Sequence, residues 1–433
     1  MKSIFKKLVV LILTFEAKLI IRKYKPKIIA VTGSVGKTSS KDAIFTVFSK
    51  VFSTRKSDKS FNSETGIPLT ILGCPSGWSN PLLWLKNFWT GLSLILFPNH
   101  YPKWLILEVG ADRPNDIKKV ATWLPVDIAV FTRMSSVPVH VEFFKSPEEL
   151  FKEKMNLLAA IKKDGVIIFN YDDEKIRKHI LSLPDHKKFS YGFDVSADVS
   201  ASDYKIIYED NPTARPIGIN FKVNFGSNSL PINLNGTLGR QQTYAILAAM
   251  VSAISEKINL VEASKSLLSH MLPPGRMRVL NGASNSTIID DTYNSSPVAL
   301  FEALDVMESL KISGKKIVVL GDMMELGEYS IDEHKKAGQK VKEIAGILIT
   351  VGVRARYIAE AAVQAGFASE KIMQFTESRL AGKAVASLLK EGDVVLVKGS
   401  QSIRLERVVE EVMTDKSHKK DLLVRQDDEW LCR

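Results

Sequence analysis

The segment KIIAVTGSVGKTSSKDAIFTVF contains a glycine-rich turn followed by a lysine and a threonine. An apolar run typical of a buried strand precedes the turn, and an amphipathic helix is predicted after it. Such a turn binds phosphates, because its backbone approaches closely and the first amides of the helix point at negative charge. Lys37 is expected to neutralise phosphate oxygens, and the Thr38 hydroxyl is expected to ligate Mg²⁺. The predicted P-loop consists of Gly33, Ser34, Val35, Gly36, Lys37, Thr38 and Ser39.

The spacing of this loop is TGxxGKT, since Val31 occupies the position of the first glycine in the more common GxxxxGK[ST] form. A P-loop also needs a carboxylate for its metal ion, at the end of a neighbouring strand. Glu108 closes the apolar run KWLILEVG and is assigned to Mg²⁺. A lone acidic residue after a strand is more often a solvated terminus, so this assignment depends on the P-loop.

From Lys27 onward, short apolar runs alternate with longer amphipathic stretches, which predicts an α/β fold with a parallel sheet and crossover helices. Alternating runs between about residues 192 and 235 predict a small antiparallel excursion. After Pro273-Pro274-Gly275 the α/β pattern resumes with TIIDDTY, KKIVVLGDM, GILITVG and DVVLVKGS. The predicted domains are a basic apolar helix at 1–25, a central P-loop ATPase domain at 26–272 and a Rossmann-like domain at 273–433. The charged segment after Thr414 is expected to be solvated.

Composition excludes disordered and fibrous proteins, because 45% of the 433 residues are hydrophobic and 25% are charged. The net charge of +11 favours anionic partners, but no nucleic-acid-binding module accompanies it, so nucleic acid is not an expected partner. Cys74 and Cys432 are too few and too far apart for a disulfide framework or a zinc site. A reducing, cytoplasmic compartment is therefore predicted.

Residues 2–22 combine basic residues with the apolar run LVVLILTF, which is too short to span a bilayer. One hypothesis is a helix that lies on the inner membrane surface, so that the protein is peripheral there. The alternative is a helix packed on the protein's own core. The aromatic segment GWSNPLLWLKNFWTGLSLILFPNHYP raises the same pair of alternatives: a buried helical insertion or a second membrane-touching surface.

Further strings occur in the order and approximate spacing found in the Mur ligases: SFNSETGIPLTIL, LEVGADRPNDI, PVHVEFFKSPEELFKEK, IIDDTYNSSP, GDMMELGEYS and VKGSQS. Together with the P-loop they cover nearly everything from Lys27 to about Val412. The chain therefore resembles the Mur ligase family, and most closely its member that adds D-alanyl-D-alanine to the peptidoglycan precursor.

The resemblance implies an ATP-dependent carboxylate-amine ligase with ATP and Mg²⁺ as cofactors. In such an enzyme ATP phosphorylates the carboxylate of a muramoyl-tripeptide, and the amine of D-Ala-D-Ala then attacks the acyl phosphate. Two alternatives stay open at this point. One is another superfamily ligase, folylpolyglutamate-like or cyanophycin-like, and the other is a degenerate, membrane-associated ATP-binding scaffold.

The resemblance also implies roles for residues outside the P-loop. His140 would ligate a second Mg²⁺, and Lys154 would be the lysine that is carbamylated by CO₂ to give an anionic metal-side ligand, so both join Lys37 as catalytic candidates. Arg276 would contact nucleotide phosphates from the interdomain hinge, and Asp291 would hold the ribose or an adjacent group. The acceptor side would be formed by Asn294, Lys398 and Ser400. Taken alone, His140 and Lys154 would be better explained as surface residues, and the others have an alternative in capping or turn chemistry at a strand end.

Two departures from the family pattern accompany the resemblance. Where relatives have GRHNVxNALAA, this chain has GRQQTYAILAA, which places Gln241 and Ala245 at the adenine-contacting positions. A replacement hydrogen bond is expected from Gln241 or Asn170. The P-loop also begins close to the N-terminus, so the family's uridine-binding domain is expected to be absent. Either membrane association would then present a lipid-linked donor, or a partner subunit or the aromatic insertion itself would bind the nucleotide. The sequence leaves the oligomeric state undetermined.

Overall fold

Two β-sheets organise the chain in a computed structural model that describes residues 2–58, 61–78, 80–184, 186–210 and 214–431. The strands of the first sheet are β1 (Lys27–Thr32), β2 (Thr54–Lys56), β3 (Trp104–Glu108), β4 (Val126–Phe131), β5 (Ile161–Asn170), β6 (Lys187–Gly192), β7 (Val199–Tyr208), β8 (Pro216–Phe225) and β9 (Asn228–Asn235). The strands of the second sheet are β10 (Arg278–Gly282), β11 (Ser286–Asp291), β12 (Lys316–Gly321), β13 (Ile347–Val351), β14 (Ile372–Phe375) and β15 (Val394–Lys398).

The first sheet has the strand order β2-β3-β1-β4-β5-β6-β7-β8-β9. Its strands pair in parallel from β2 to β7, whereas β7, β8 and β9 are antiparallel to one another. In β1 every residue after Lys27 is buried, as expected for a strand covered by helices on both faces. The predicted parallel sheet and its antiparallel excursion are therefore both confirmed.

The second sheet has the order β10-β11-β15-β12-β13-β14 and is parallel except for the β10–β11 pair. Each of the four apolar strings predicted after the Pro-Pro-Gly break forms a strand of this sheet. The Rossmann-like architecture is confirmed, while the domain limits of 26–272 and 273–433 stay predictions.

Helices cover both sheets. They are α1 (Lys2–Tyr24), α2 (Lys37–Phe48), α3 (Gly66–Leu72), α4 (Pro81–Leu96), α5 (Asp116–Ala121), α6 (Pro147–Met155), α7 (Glu174–Leu181), α8 (Arg240–Ser255), α9 (Leu260–Leu267), α10 (Pro297–Ser309), α11 (Ser330–Val341), α12 (Arg356–Gln364), α13 (Ser378–Leu388), α14 (Glu406–Val412), α15 (Lys419–Leu422) and α16 (Asp428–Leu431). Several begin at a side-chain cap that accepts hydrogen bonds from first-turn amides, namely Asn80, Ser146, Asp173, Asn259 and Ser296.

Helices α1 and α4 pack against each other beside the first sheet. The inner face of α1 is buried through Val9, Leu13, Ala17 and Ile20, so the hypothesis of a helix packed on the protein's own core holds for this face. The outer face of α1 is exposed to solvent, and α4 is likewise buried on one side only. Within the described residues, no helix is long and apolar enough to cross a bilayer.

The segment after Thr414 ends by packing on the second sheet. Residues 415–421 are mostly exposed, as the prediction of a solvated end requires, but that prediction is wrong for residues 423 and 424. Leu423 and Val424 are buried there. The Arg425 guanidinium lies 2.8 Å from the Glu406 carboxylate, and both side chains are almost fully buried. One leucine and one valine side chain therefore anchor a segment whose other residues are mostly polar or charged.

Candidate active site

The P-loop connects β1 to α2 at the carboxyl edge of the first sheet. Gly36 has φ = +86° at the N-terminus of α2, a conformation that favours glycine. At Gly33, with φ = +150°, an added Cβ would lie 1.9 Å from Thr132 Oγ1, so a side chain does not fit. The first amides of α2 have no acceptor within the helix and remain available to an anion. The Lys37 ammonium donates to the Gly33 carbonyl at 2.9 Å, and burial lowers the Lys37 pKa.

A hydroxyl and a carboxylate meet beside this loop. Thr38 Oγ1 donates to Glu108 Oε2 at 2.9 Å, and Asn62 Nδ2 donates to Glu108 Oε1 at 3.2 Å. The backbone amide of Glu108 donates to Ser57 Oγ at 3.1 Å, which fixes the end of β3. Mg²⁺ prefers such oxygen ligands and usually completes its shell with water and substrate phosphates. The donor set at Thr38 and Glu108 therefore fits a magnesium ion that is shared with a nucleotide.

His140 lies between carboxylates from the two halves of the molecule. Its Nε2 is 3.3 Å from Asp112 Oδ1, and its Nδ1 is 2.5 Å from Glu325 Oε2. The hydrogen bond from His140 holds the pKa of Glu325 below its usual value. Within the described ranges, no three His, Cys, Asp and Glu side chains form a metal cage. The predicted metal role of His140 would thus require phosphate oxygens as additional ligands.

Lys154 is buried on α6. The neighbouring Glu153 carboxylate accepts hydrogen bonds from the amides of Ile117 and Lys118 at 2.8 and 3.1 Å, which ties α6 to the start of α5. Burial, and next the charge of Lys37, lower the pKa of Lys154 to about 7. A large fraction of this lysine is therefore a neutral amine near neutral pH.

The second half of the molecule contributes Arg276 and the turn after β11. The Arg276 guanidinium lies over the Tyr293 ring, 4.0 Å from its centre, and the Arg276 carbonyl accepts from Gln242 Nε2 at 2.9 Å. Asn294 follows Tyr293, and the Ser296 hydroxyl caps the first turn of α10. These groups face the P-loop across a cleft.

The cleft has a volume of about 500 Å³. Among the residues proposed from the sequence, its lining includes Ser34, Val35, Gly36, Lys37, Thr38, Glu108, His140, Lys154, Arg276 and Asn294. The lining residues for which the sequence suggested no role of their own include Asn62, Ser63, Trp78, Asp112, Val139, Ser295, Ser296, Ala299 and Gln401. Asn62 and Asp112 belong to two strings that resemble the Mur ligases, SFNSETGIPLTIL and LEVGADRPNDI, and this resemblance could have indicated them as site residues. Trp78 had no such signal.

The remaining proposed residues, among them Gly33 and Ser39, do not line this cleft. Lys398 Nζ lies 2.6 Å from Asp291 Oδ2 in a buried pair and donates to the Asn294 carbonyl at 2.9 Å. Ser400 Oγ accepts from the Met324 amide at 2.9 Å. The Lys398 contact positions the turn that holds Asn294, whereas the Ser400 contact fixes the loop after β12. The direct ligand roles of Asp291, Lys398 and Ser400 stay predictions.

Two buried amides bear on the open question of adenine recognition. Asn170, at the end of β5, is fully buried, and its Oδ1 accepts from the Asp172 amide at 3.0 Å. Asn170 Nδ2 and Gln241 Nε2 are buried without a hydrogen-bond partner in the described structure. Unsatisfied buried donors are costly, so each has capacity for an additional acceptor. The adenine roles of Asn170 and Gln241 stay predictions.

Comparison with known proteins gives the same picture over most of the chain. The Mur ligase middle domain matches residues 89–253, and the Mur ligase glutamate ligase domain matches residues 275–401. The UDP-N-acetylmuramoyl-tripeptide–D-alanyl-D-alanine ligase of Bacillus subtilis is 27% identical over 398 residues, which cover 92% of this chain and 78% of that protein.

Solved structures show the same fold. The MurF ligase of Thermotoga maritima in complex with ADP has a TM-score of 0.75 at 24% identity, covering 93% of this chain and 83% of that one. E. coli FolC in complex with DHPP and ADP has a TM-score of 0.60 at 14% identity, covering 91% and 92%. Since the two domain matches, the relatives and the fold agree along the chain, it belongs to the Mur ligase family.

Proposed function

We propose that this protein is an ATP-dependent carboxylate-amine ligase that adds D-alanyl-D-alanine to a muramoyl-tripeptide in peptidoglycan precursor synthesis. The observation that supports it is one cleft in which the P-loop, the Thr38–Glu108 pair and Lys154 face Arg276 and Asn294. The named activity of the Bacillus subtilis relative and the ADP bound in the Thermotoga maritima structure support the same reaction class. A cytoplasmic location stays part of this proposal.

In the first step, the γ-phosphate of ATP passes to the donor carboxylate, which gives an acyl phosphate and ADP. Phosphoryl transfer asks mainly for positioning and charge neutralisation. The first amides of α2 and the Lys37 ammonium would bind the phosphates, and Thr38 with Glu108 would hold Mg²⁺. When bound, that ion neutralises charge that develops on the transferring group. Arg276 would approach the phosphates from the opposite wall.

Lys154 would act as an anion rather than as a cation. Its neutral amine is competent to attack CO₂, forming an N–C bond and losing a proton to solvent, which leaves a carbamate with one negative charge. The lowered pKa supplies the neutral amine that this reaction requires. The carbamate would then offer an oxygen ligand to the Mg²⁺ bound in the cleft.

In the second step, the amine of D-Ala-D-Ala attacks the acyl carbon and phosphate leaves. The amine must be neutral to attack, so it gives up a proton to a base or to the departing phosphate. Asn294 and Ser295 line the cleft just before the N-terminus of α10, whose dipole would favour a carboxylate of the incoming dipeptide. Lys398 would act on this step by holding the Asn294 carbonyl.

The test is incubation of the protein with ATP, Mg²⁺, UDP-MurNAc-tripeptide and D-Ala-D-Ala, with detection of the pentapeptide product by mass. Two matched reactions test the other ligase alternatives. A folate with glutamate replaces the substrates for the folylpolyglutamate-like enzyme, and an aspartate–arginine polymer with free aspartate and arginine replaces them for the cyanophycin-like enzyme. Product in the first reaction alone supports the proposal. Product in another reaction alone would contradict the proposed substrates. ATP binding without turnover in any reaction would favour the scaffold alternative.

A further inference from the structure

The outer face of α1 is apolar although it faces solvent. Phe5, Leu8, Leu11 and Phe15 are each at least half exposed, and their spacing of three or four residues places them along one side of the helix. The opposite side is the apolar face that packs on the core. Because α1 is apolar on both sides, the core covers only one of its apolar faces.

Helix α4 repeats this arrangement. Leu82, Leu85, Trp89, Leu92 and Leu96 follow one another at intervals of three and four residues and are 40–75% exposed. The buried side of the helix contains Trp84, Asn87, Gly91 and Leu94. Together the two stripes form an exposed apolar surface, called here the α1/α4 surface, on helices that pack against each other. Exposed patches of this kind mark interaction sites.

Specific contacts hold the two helices together. An added Cβ at Gly91 would lie 2.4 Å from Glu16 Oε2, so the helices cross closely at this glycine. At the other end, Lys23 Nζ donates to the carbonyls of Leu94 and Phe97 at 2.9 and 2.7 Å, and the Tyr24 hydroxyl donates to Leu94 at 2.9 Å. The α1/α4 surface is therefore preformed in the folded protein.

The charges on the two helices and their flanking segments are almost all positive, although Lys6 pairs with Glu64 from a neighbouring loop at 3.2 Å. Residues 2–27 contain eight lysines and arginines, and residues 73–103 contain two more, whereas the only acidic residue in either segment is the buried Glu16. Lys7, Lys18, Arg22 and Lys86 are exposed. A second copy of the chain on this face would bring like charges together, which disfavours self-association. Anionic headgroups beside an apolar layer complement both properties.

We propose that the α1/α4 surface docks the protein in the plane of an anionic lipid bilayer. The exposed leucines and aromatic rings would enter the boundary between headgroups and acyl chains, and the cations would stay at the phosphates. Helix α4 also reaches the cleft through its buried side, where Trp84 Nε1 donates to the carbonyl of the cleft-lining Trp78 at 3.0 Å. Docking would thus bring the cleft close to molecules held in the same bilayer.

The experiment uses the full chain in vesicle sedimentation. Vesicles of phosphatidylcholine alone are compared with vesicles that contain roughly one third phosphatidylglycerol. Two double variants, L8S with L11S and L85S with W89S, remove exposed apolar side chains without touching the core. The matched control is L268S with M271S, two exposed apolar residues near the end of α9. Light scattering on vesicle-free protein reports self-association.

We expect the wild-type protein and the α9 control to sediment with anionic vesicles, and each double variant to bind at least tenfold more weakly. Binding should fall with added salt and with neutral vesicles. The proposal is overturned if wild-type protein stays in the supernatant, if both double variants bind as well as the control, or if the variants only dissolve a dimer. The inference is independent of the proposed ligase activity, which is measured on a soluble donor without vesicles.

Discussion

Two buried lysines line the cleft, and burial lowers the pKa of both. Lys37 donates to the Gly33 carbonyl and stands at the phosphate-binding turn, whereas Lys154 has a pKa of about 7. The charge of Lys37 is one of the causes that lower the Lys154 pKa. Phosphate bound at the turn would favour the charged form of Lys37, whereas Lys154 suits modification as an amine.

We expect Lys37→Ala to reduce ATP turnover by about 10²–10³-fold, because it removes a cation from the developing charge of phosphoryl transfer. The fold should persist, since the Lys37 ammonium donates to a loop carbonyl rather than to the core. Phosphate release and the thermal midpoint together measure both effects. Lys50→Ala, at the exposed end of the same helix, is the matched control. An unchanged turnover in a folded Lys37→Ala protein contradicts the P-loop assignment.

We expect Lys154→Ala to be severely inactivating, with partial recovery in the presence of a short carboxylate. Wild-type activity at low CO₂ should rise with added bicarbonate. Carbamylation needs the neutral amine, so the bicarbonate-dependent activity should fall as the pH decreases through about 7. Lys152→Ala, exposed on the same helix, should leave activity unchanged. Full activity of Lys154→Ala would mean that this lysine is only structural.

At the scale of single elements, the α1–α4 contact contains a carboxyl group in an unfavourable place. Glu16 is buried against Gly91, and its Oε2 has no hydrogen-bond partner among the described residues. Burial raises the pKa of Glu16 to about 7. The folded protein thus binds a proton that the unfolded chain releases near pH 4.5, and this group costs stability as the pH rises between these two values.

We expect Glu16→Gln to increase the free energy of unfolding by on the order of 1–2 kcal/mol at pH 8, after allowance for solvent screening. This increase in unfolding free energy should be small at pH 4, should grow between pH 4.5 and 7, and should stay constant above pH 7. Denaturant unfolding at several pH values measures it. Glu262→Gln, which changes an exposed residue of α9, should give no such dependence of stability on pH. A gain that is equal at pH 4 and pH 8 would show that ionisation of Glu16 is not the cause.

At the scale of the whole molecule, one core and several polar contacts join the two halves around the cleft. The largest apolar cluster runs from Ile29 in the first sheet to Leu396 in the second. The Lys311 amide donates to the Tyr208 hydroxyl at 3.1 Å, and Arg133 pairs with Glu302. On the cleft side, His140 and Glu325 form the corresponding contact. Because His140 lines the cleft, we expect this contact to break when the halves separate to admit substrates.

We expect Glu325→Ala to loosen the cleft, because it removes the partner of His140 from the second half. Since both side chains are partly exposed, the loss should be about 0.5–1 kcal/mol of interdomain contact. Small-angle scattering should show a larger average radius without nucleotide. Glu328→Ala, exposed in the same loop, is the control. If Glu325→Ala and the control scatter alike, the contact does not hold the halves together.

Local patterns in the sequence were sufficient to predict much of this protein. The β1 string with its glycine turn, the five other apolar strings predicted as strands, and the antiparallel runs before residue 235 all have a periodicity or a glycine requirement that acts over a few residues. The resemblance to the Mur ligases added His140, Lys154 and Asn294 from the family-like strings and Arg276 from the expected hinge, and the fold brings all four to one cleft. Roles that depend on a bound ligand stay predictions.

Other properties were decided only by the tertiary structure, because they depend on residues far apart in the chain. The contact of His140 with Glu325 joins two loops from different sheets, and no spacing predicts it. The pKa of Lys154 follows from its burial and from Lys37, neither of which its own helix reveals. Likewise, α1 is apolar on both faces, and only packing against the core and α4 determined which face is buried and which stays at the surface.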